Sequence, residues 1–252
     1  RLGQRYYFPA FFICVLCDHS GMCGIAGIID LLAERPAPEG VVQRMSRALV
    51  HRGPDEEGFL ERPGISLASR RLSIVGLADG QQPMANEDRS IFVVFNGELF
   101  DYVEGGKNSP RKVIASSRTE IIPHLWEDHQ EGTWEQLRGQ FAVALWDTRR
   151  RELHLGRDRF GIAPLFWSRQ GDWLLFASEI KGLLASGMVP PRPDRKGLDH
   201  VFTFSAVPGP RTCFEGVQLL PPGHCLRISP ARAGARLTIT ERAYWEMDFP
   251  AE

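Results

Sequence analysis

The sequence lacks an excess of either charge, and it lacks a long apolar run. Its 252 residues include 30 Lys and Arg against 31 Asp and Glu, which gives a formal net charge of -1. A near-neutral chain gives no electrostatic reason to expect a nucleic acid or an anionic membrane as a partner. Hydrophobic residues make up 43% of the chain, enough to bury the core of one large domain or of two small ones.

Cysteine is also scarce, and the five cysteines are Cys14, Cys17, Cys23, Cys213 and Cys225. An odd number without a regular framework, in a chain of this length, favours a reducing, cytoplasmic setting. Cys14 and Cys17 form a C-x-x-C pair, but no second pair and no His pair follows at zinc-site spacing. The histidines show no ligand spacing either, so the sequence predicts no metal site.

The first 21 residues do not read as part of a domain. The apolar stretch Tyr6–Cys17 is too short to span a bilayer and only faintly resembles the apolar part of a signal peptide. We interpret residues 1–21 as a non-native upstream extension, with Met22 as the true start, or else as a propeptide that is cut off. Either route makes Cys23 the first residue of the processed chain, and the predicted domain covers residues 22–252.

Strand-like runs outnumber helical ones from Cys23 onward, and several are joined by tight turns. Predicted strands cover residues 23–29, 91–95, 141–146, 152–155, 165–167 and 173–176. Predicted helices cover residues 39–50, 120–129 and 179–186, where apolar residues recur at helical spacing. This pattern favours antiparallel sheets with helices layered outside them.

The sequence also predicts where one strand ends and which segment lies on the surface. The apolar strand Ile91–Phe95 is expected to stop at a turn formed by Asn96 and Gly97. Residues 190–222 are rich in proline and glycine and are expected to wrap the surface.

Cys23 offers a nucleophile that could carry its own base. When a cysteine is the first residue of a chain, its free α-amine can take the proton of its own thiol. The Met22-Cys23-Gly24 sequence is weak evidence by itself, because buried cysteines are common in protein cores.

Other residues supply the remaining parts of a site for a free amino acid. Arg52 lies on a turn after a predicted helix and is suited to gripping a carboxylate. Asn96 and Gly97 offer a side-chain amide and an unhindered backbone N–H, which together suit an oxyanion hole. Glu98 could accept hydrogen bonds from an ammonium group. A thiol, a group that binds a carboxylate, a group that binds an ammonium and an oxyanion hole together suit acyl transfer from a glutamine side chain.

Seven motifs carry a resemblance to a known family. They are Met22-Cys-Gly-Ile-Ala-Gly-Ile28, His51-Arg-Gly-Pro-Asp55, Arg70-Arg-Leu-Ser-Ile74, Gln82-Pro-Met84, Phe95-Asn-Gly-Glu-Leu99, Arg157-Asp-Arg-Phe-Gly-Ile162 and Phe176-Ala-Ser-Glu-Ile-Lys181. In this order they resemble the glutaminase domain of glutamine-hydrolysing asparagine synthetase, a class-II glutamine amidotransferase of the N-terminal-nucleophile kind. The resemblance implies an α+β fold, a four-layer αββα sandwich of two antiparallel sheets.

The resemblance also implies a role for each matching residue. Cys23 matches the nucleophile, with its α-amine as the base, and Arg52 matches the residue that holds the glutamine carboxylate. Asn96 and Gly97 match the oxyanion hole, and Glu98 matches a contact to the glutamine α-amino group.

Arg118 departs from the family pattern. The resemblance implies an Asp as the second partner of the α-amino group, in a Ser-Asp-Thr-Glu type of motif. Here the stretch reads Ser117-Arg118-Thr119-Glu120. A cation facing an ammonium group repels it, so either Arg118 points away or glutamine binding is weakened.

The sequence contains neither a Ser-Gly-Gly-x-Asp-Ser loop nor a P-loop. No cofactor is therefore expected in this domain, and ATP and Mg²⁺ are expected only in the missing synthetase domain. The expected partners are glutamine, a synthetase domain or subunit that receives ammonia, and a second copy in a possible homo-oligomer. Two alternatives stay open: the same glutaminase feeding another carboxylate acceptor, or an inactive structural or regulatory domain.

Arg118→Asp tests whether Arg118 occupies the place of the usual acid. If it does, the substitution replaces repulsion of the glutamine ammonium by attraction and lowers the KM for glutamine. Steady-state glutamate release measures this constant. An unchanged or higher KM would place Arg118 outside the site.

Overall fold

The computed structural model describes residues 23–32, 34–72, 81–102, 120–231 and 236–248. The strands are β1 (Gly24–Asp30), β2 (Glu56–Arg62), β3 (Ile65–Arg71), β4 (Met84–Ala85), β5 (Ile91–Tyr102), β6 (Leu137–Asp147), β7 (Glu152–Arg157), β8 (Phe166–Gln170), β9 (Trp173–Ala177), β10 (Val217–Leu219), β11 (His224–Ser229) and β12 (Thr238–Ala243). The α-helices are α1 (Val41–Ala48), α2 (Ile121–His129), α3 (Thr133–Gln136), α4 (Ile180–Ala185) and α5 (Arg195–Phe204).

The described strands form two six-stranded sheets. The first sheet has the order β10-β8-β9-β1-β3-β2, and the second has the order β12-β11-β7-β6-β5-β4. Each pair of neighbouring strands is antiparallel. The prediction of an α+β fold with two antiparallel sheets is confirmed.

Helices cover the outer face of each sheet, which makes four layers. Met45 of α1 and Leu183 of α4 share a buried cluster with Ala26 of β1, on the outer face of the first sheet. Trp126 of α2 and Trp134 of α3 share another with Val143 of β6, on the outer face of the second sheet. The αββα order follows from these two clusters.

The central core lies between the two sheets. Ile25 and Ile29 of β1 pack there with Phe92 and Val94 of β5. The intervening residues point to the helices instead, as Ala26 and Ile28 do under α1. Because both faces of β1 are buried, its sequence reads as a nearly continuous apolar run.

The predicted helix at residues 39–50 is confirmed with tighter bounds. Gly40 has φ 71, a left-handed conformation that glycine adopts without strain, and α1 begins at the next residue. Val41, Val42 and Met45 are buried, as is Leu49 just after the helix. The helical spacing of apolar residues thus corresponds to the face that packs on the first sheet.

The expectation that a strand stops at Asn96 and Gly97 is wrong. β5 continues to Tyr102, and these two residues pair in register with Ala142 and Phe141 of β6. Gly97 has φ 140, and a Cβ added there would lie 2.0 Å from the backbone oxygen of Gln140. Glycine therefore marks a close approach within the sheet rather than a turn.

The segment 190–222 is more regular than its composition suggests. It contains α5 and β10, and Asp194 caps the helix because its Oδ1 accepts a hydrogen bond from the Gly197 N–H over 2.7 Å. Phe202 and Phe204 are exposed, so the expected surface location holds for this helix. No helix within the described residues is long and apolar enough to cross a bilayer.

Met45→Ala tests the packing of α1 on the first sheet. Met45 is fully buried, so its truncation should lower the free energy of unfolding by about 2–5 kcal/mol. Arg47→Ala, at an exposed position of the same helix, should change it by less than about 0.5 kcal/mol. Urea denaturation measures both values, and equal effects would contradict this packing.

Candidate active site

Gln82 links β3, the neighbour of β1, to the middle of β5. Ile25 of β1 pairs in register with Ser69 of β3. The Ser69 hydroxyl donates to the backbone oxygen of Gln82 over 3.2 Å, and the Phe95 N–H donates to Gln82 Oε1 over 2.7 Å. These bonds place Ile25 and Phe95 at the same end of the sandwich.

The alternation of side chains along each strand directs Cys23 and Asn96 into the same gap between the two sheets. Cys23 lies two residues before Ile25, which points into the space between the sheets. Asn96 lies two residues after Val94, which points into the same space from the other sheet. Because side chains two residues apart share a face, both belong to the gap between the sheets. Cys23 is a free cysteine and is partly exposed.

The Asn96 side chain is buried but makes no hydrogen bond within the part of the chain that the structure describes. Its exposed fraction is 0%, and neither Oδ1 nor Nδ2 has a partner. An unsatisfied buried polar group costs about 1–3 kcal/mol, and such groups in native proteins call for a functional explanation. A ligand oxygen that accepts from Nδ2 supplies one.

Regular antiparallel pairing would direct the Gly97 N–H to the edge of β5 away from β6. Its register partner Phe141 donates its own N–H to Asp158 Oδ2 over 3.2 Å and accepts from the Asp158 N–H over 2.9 Å. Phe141 thus turns its backbone groups towards β7, and Gly97 opposite it turns its own to the other edge of β5. The Phe95 N–H points to that same edge, where it meets Gln82. Among the described residues, the Asn96 side chain therefore offers an amide donor without a partner, beside the backbone of Gly97.

Arg52 is buried beside the backbone of Cys23. Its exposed fraction is 1%, and its Nε donates to the backbone oxygen of Cys23 over 3.0 Å. Nη1 donates to Glu179 Oε1 over 3.0 Å, whereas Nη2 is buried without a partner. A permanently charged guanidinium with one free donor suits a carboxylate ligand.

Glu179 lies among several cationic groups. His51 Nε2 lies 2.9 Å from Oε1, and Lys181 Nζ lies 3.0 Å from Oε2. Burial alone would raise the pKa of Glu179, but hydrogen bonds from Arg52, His51 and Lys181 outweigh it and lower the pKa to about 2. Glu179 is therefore ionised at any working pH.

The structure brings most of the predicted site residues together. Cys23, Arg52, Asn96 and Gly97 lie at one end of the sandwich through the contacts described above. Glu98 follows on β5, where it is exposed and pairs in register with Gln140. The contact of Glu98 with an α-amino group stays a prediction.

Other predicted features fall outside the described residues, and two neighbours of the site were missed. Arg118 and residues 1–21 belong to the undescribed parts. Sequence reasoning missed Gln82 and Glu179 as neighbours of the site, although both lie in motifs that carry the family resemblance. The available signal was their place in those motifs, since neither residue type is distinctive by itself.

Two other features do not coincide with this site. A cavity of about 410 Å³ borders β2, β3 and Gln82, but its described lining includes neither Cys23 nor Asn96. Glu87, His124 and Glu127 group together, with His124 Nδ1 3.3 Å from Glu127 Oε2 and 3.8 Å from Glu87 Oε2. Only the contact with Glu127 is within hydrogen-bond distance.

Comparison with known proteins decides the family. A family profile described as a glutamine amidotransferase domain matches residues 22–245. The chain belongs to this family. This amidotransferase domain is 35% identical over 237 residues to glutamine-hydrolyzing asparagine synthetase 2 of Bacillus subtilis (strain 168), covering 90% of this chain and 31% of that protein.

Amidase chry2 of Gibberella zeae is 33% identical to the amidotransferase domain over 243 residues, covering 91% of this chain and 35% of that protein. The chain therefore spans about a third of the length of these two relatives.

Solved structures support the fold. An allosteric regulatory enzyme of purine biosynthesis matches with a TM-score of 0.61 at 16% identity, over 88% of this chain and 49% of that chain. Glutamine phosphoribosylpyrophosphate amidotransferase from B. subtilis matches with a TM-score of 0.59 at 17% identity, over the same 88% and 49%. The expected αββα sandwich is confirmed.

Asn96→Leu tests whether the Asn96 amide lacks hydrogen-bond partners in the ligand-free protein. Leucine keeps the branched shape and removes two unsatisfied groups, so the free energy of unfolding should stay level or rise by about 1 kcal/mol. Chemical denaturation of the domain measures this change.

Asn86→Leu is the matched control. Asn86 is also buried, but its side chain bonds Ser90, the Ile91 N–H and Glu127. Its replacement should cost about 2 kcal/mol or more. A loss of that size at Asn96 would mean that its amide has partners in the folded protein.

Proposed function

We propose that this domain hydrolyses glutamine to glutamate and ammonia, with Cys23 as the nucleophile. The observation that carries the proposal is the buried, unpartnered amide of Asn96 at the same end of the sandwich as Cys23. A free thiol and an unpartnered amide donor together suit an acyl-transfer site.

Substrate binding uses the charged groups around the thiol. The free Nη2 of Arg52 donates to the α-carboxylate of glutamine, while Nε stays on the backbone oxygen of Cys23. Glu98, exposed on β5, accepts from the α-amino group. Arg118 is proposed only as a neighbour of that amino group, where its charge weakens binding. These contacts direct the side-chain amide towards the thiol.

The chemical step forms a thioester. The α-amine of Cys23, free once Cys23 is the first residue, takes the thiol proton, and Sγ attacks the amide carbon. The carbonyl oxygen becomes an oxyanion that accepts from Asn96 Nδ2 and from the Gly97 N–H. The protonated amine then gives its proton to the leaving nitrogen, which departs as ammonia.

Water completes the cycle. The α-amine takes a proton from the water molecule that attacks the thioester, and the same two donors stabilise the second oxyanion. Collapse of this intermediate releases glutamate and restores the thiol. One glutamine and one water give one glutamate and one ammonia, and no cofactor enters these steps.

We propose that the ammonia serves ATP-dependent conversion of aspartate to asparagine in the cytoplasm. The support is the similarity to glutamine-hydrolyzing asparagine synthetase 2 of B. subtilis. ATP and Mg²⁺ act in the synthetase domain or subunit that receives the ammonia. A second candidate is delivery to another carboxylate, because Amidase chry2 is nearly as similar.

The acceptor is tested with the synthetase partner present. Asparagine formed from aspartate, ATP and glutamine supports the first candidate. Continued glutamate release without asparagine supports a different carboxylate.

The glutaminase proposal is tested by labelling with 6-diazo-5-oxo-norleucine, followed by mass spectrometry. A label on a peptide that begins at Cys23 is the expected result. Cys225 is a poor competitor, because burial raises its thiol pKa to about 11. If a chain restarted at Met22 also failed to react, the inactive-domain alternative would replace this proposal.

Cys23→Ala should abolish glutamate release, since it removes the only atom that forms the thioester. The change removes one sulfur from a partly exposed side chain, so the melting temperature should change little. Cys213→Ala, at another partly exposed free cysteine, should keep the wild-type rate. Activity that survives in Cys23→Ala would rule out this mechanism.

A further inference from the structure

The Glu179 carboxylate is shared by three neighbouring side chains. Oε1 accepts from Arg52 Nη1 over 3.0 Å and lies 2.9 Å from His51 Nε2, while Oε2 lies 3.0 Å from Lys181 Nζ. His51 Nε2 also lies 3.1 Å from Lys181 Nζ, so its tautomer decides which of the two it bonds. The Arg52 guanidinium is thereby linked to a charge network at the start of α4.

The backbone around Glu179 is fixed to the strand that carries Cys23. The preceding residue, Ser178, donates its N–H to the Ile25 oxygen, and its hydroxyl oxygen accepts from the Ile25 N–H, both over 2.9 Å. Glu179 then precedes α4, and its backbone oxygen accepts from the Gly182 N–H over 3.0 Å. The carboxylate therefore starts from a backbone that β1 holds in place.

We propose that Glu179 is a positioning residue for the α-carboxylate of glutamine and acts through Arg52. The proposal rests on the glutaminase function proposed above and extends it to a residue that does not touch the substrate. Glu179 would set the affinity for glutamine rather than the rate of the chemical step.

The orientation of the Arg52 guanidinium supports this role. The group is planar, so two hydrogen bonds on different nitrogens fix both its position and its rotation. Nε is held by the Cys23 oxygen and Nη1 by Glu179, which leaves Nη2 as the buried donor without a partner. Without the Glu179 carboxylate, one of the two fixed bonds is weakened and Nη2 loses its fixed direction.

The charge balance explains how an acid can assist the binding of an anion. Arg52 and Glu179 alone would sum to zero and attract a carboxylate weakly. Lys181 adds a positive charge, and His51 adds another when it is protonated. The cluster therefore keeps a net positive charge beside the free Nη2, while Glu179 orders the group that binds.

Glu179→Gln is the test. Glutamine keeps the shape and one oxygen acceptor but loses the charge that strengthens the bond to Arg52. The KM for glutamine should rise about tenfold, while kcat should change less than threefold. A purely structural role would lower the amount of active protein, and so the apparent kcat, without changing the KM.

Glu131→Gln is the matched control. Glu131 also contacts two arginines, Arg227 at 3.0 Å and Arg242 at 3.9 Å, but these lie on β11 and β12 of the second sheet. Its KM for glutamine should equal that of the wild type. An equal rise in both variants would overturn the positioning role.

Lys181→Met keeps the test decisive if Glu179→Gln fails to fold. The Lys181 side chain is 52% exposed, so its loss is compatible with folding, and the reduced positive charge should raise the KM two- to threefold. If the wild type is active but the folded variants keep the wild-type KM for glutamine, this inference is overturned and the proposed function stands. A wild type with a free Cys23 that released no glutamate would overturn the proposed function, and this inference with it.

Discussion

The packing of β1 against β5 across the central core is the constraint on which the rest of the structure depends. β1 is buried on both faces, with Ile25 against the second sheet and Ala26 under the outer helices. A strand in that position has no freedom to shift by one residue, because every side chain would then change faces. The placement of Cys23 at the start of this strand thus follows from the burial of the residues after it.

The site is built from polar groups that the fold does not satisfy. Asn96 has two buried atoms without partners, and Arg52 has a buried donor without one. Each group lowers the stability of the folded protein until a ligand supplies the missing contact. Sites that hold such groups ready avoid reorganising when the substrate binds, which is how preorganised donors promote a reaction. We infer that these unsatisfied groups lower the stability of the free domain and favour ligand binding.

Apolar periodicity predicted antiparallel sheets with helices outside them, and the ordered motifs implied two sheets through the family resemblance. Both are local signals that the sequence carries directly. Sequence reasoning failed at Asn96 and Gly97, where an Asn-Gly pair normally indicates a turn. The strand continues because β6 offers register partners through Tyr102, and this pairing is non-local. Gln82 and Glu179 were missed for a related reason, since their importance comes from the groups that they meet in space. Local composition also hid α5 within a segment rich in proline and glycine.

Gln82 joins the two sheets at the site, through Ser69 on one side and Phe95 on the other. Cys23 immediately precedes β1 of the first sheet, whereas Asn96 and Gly97, the proposed oxyanion donors, lie on β5 of the second. Any sliding of one sheet over the other therefore changes the distance between the thiol and those donors. The rate of the proposed reaction would therefore depend on how well the two sheets are aligned. Core residues that never contact glutamine would therefore affect the proposed activity as well as the stability of the fold.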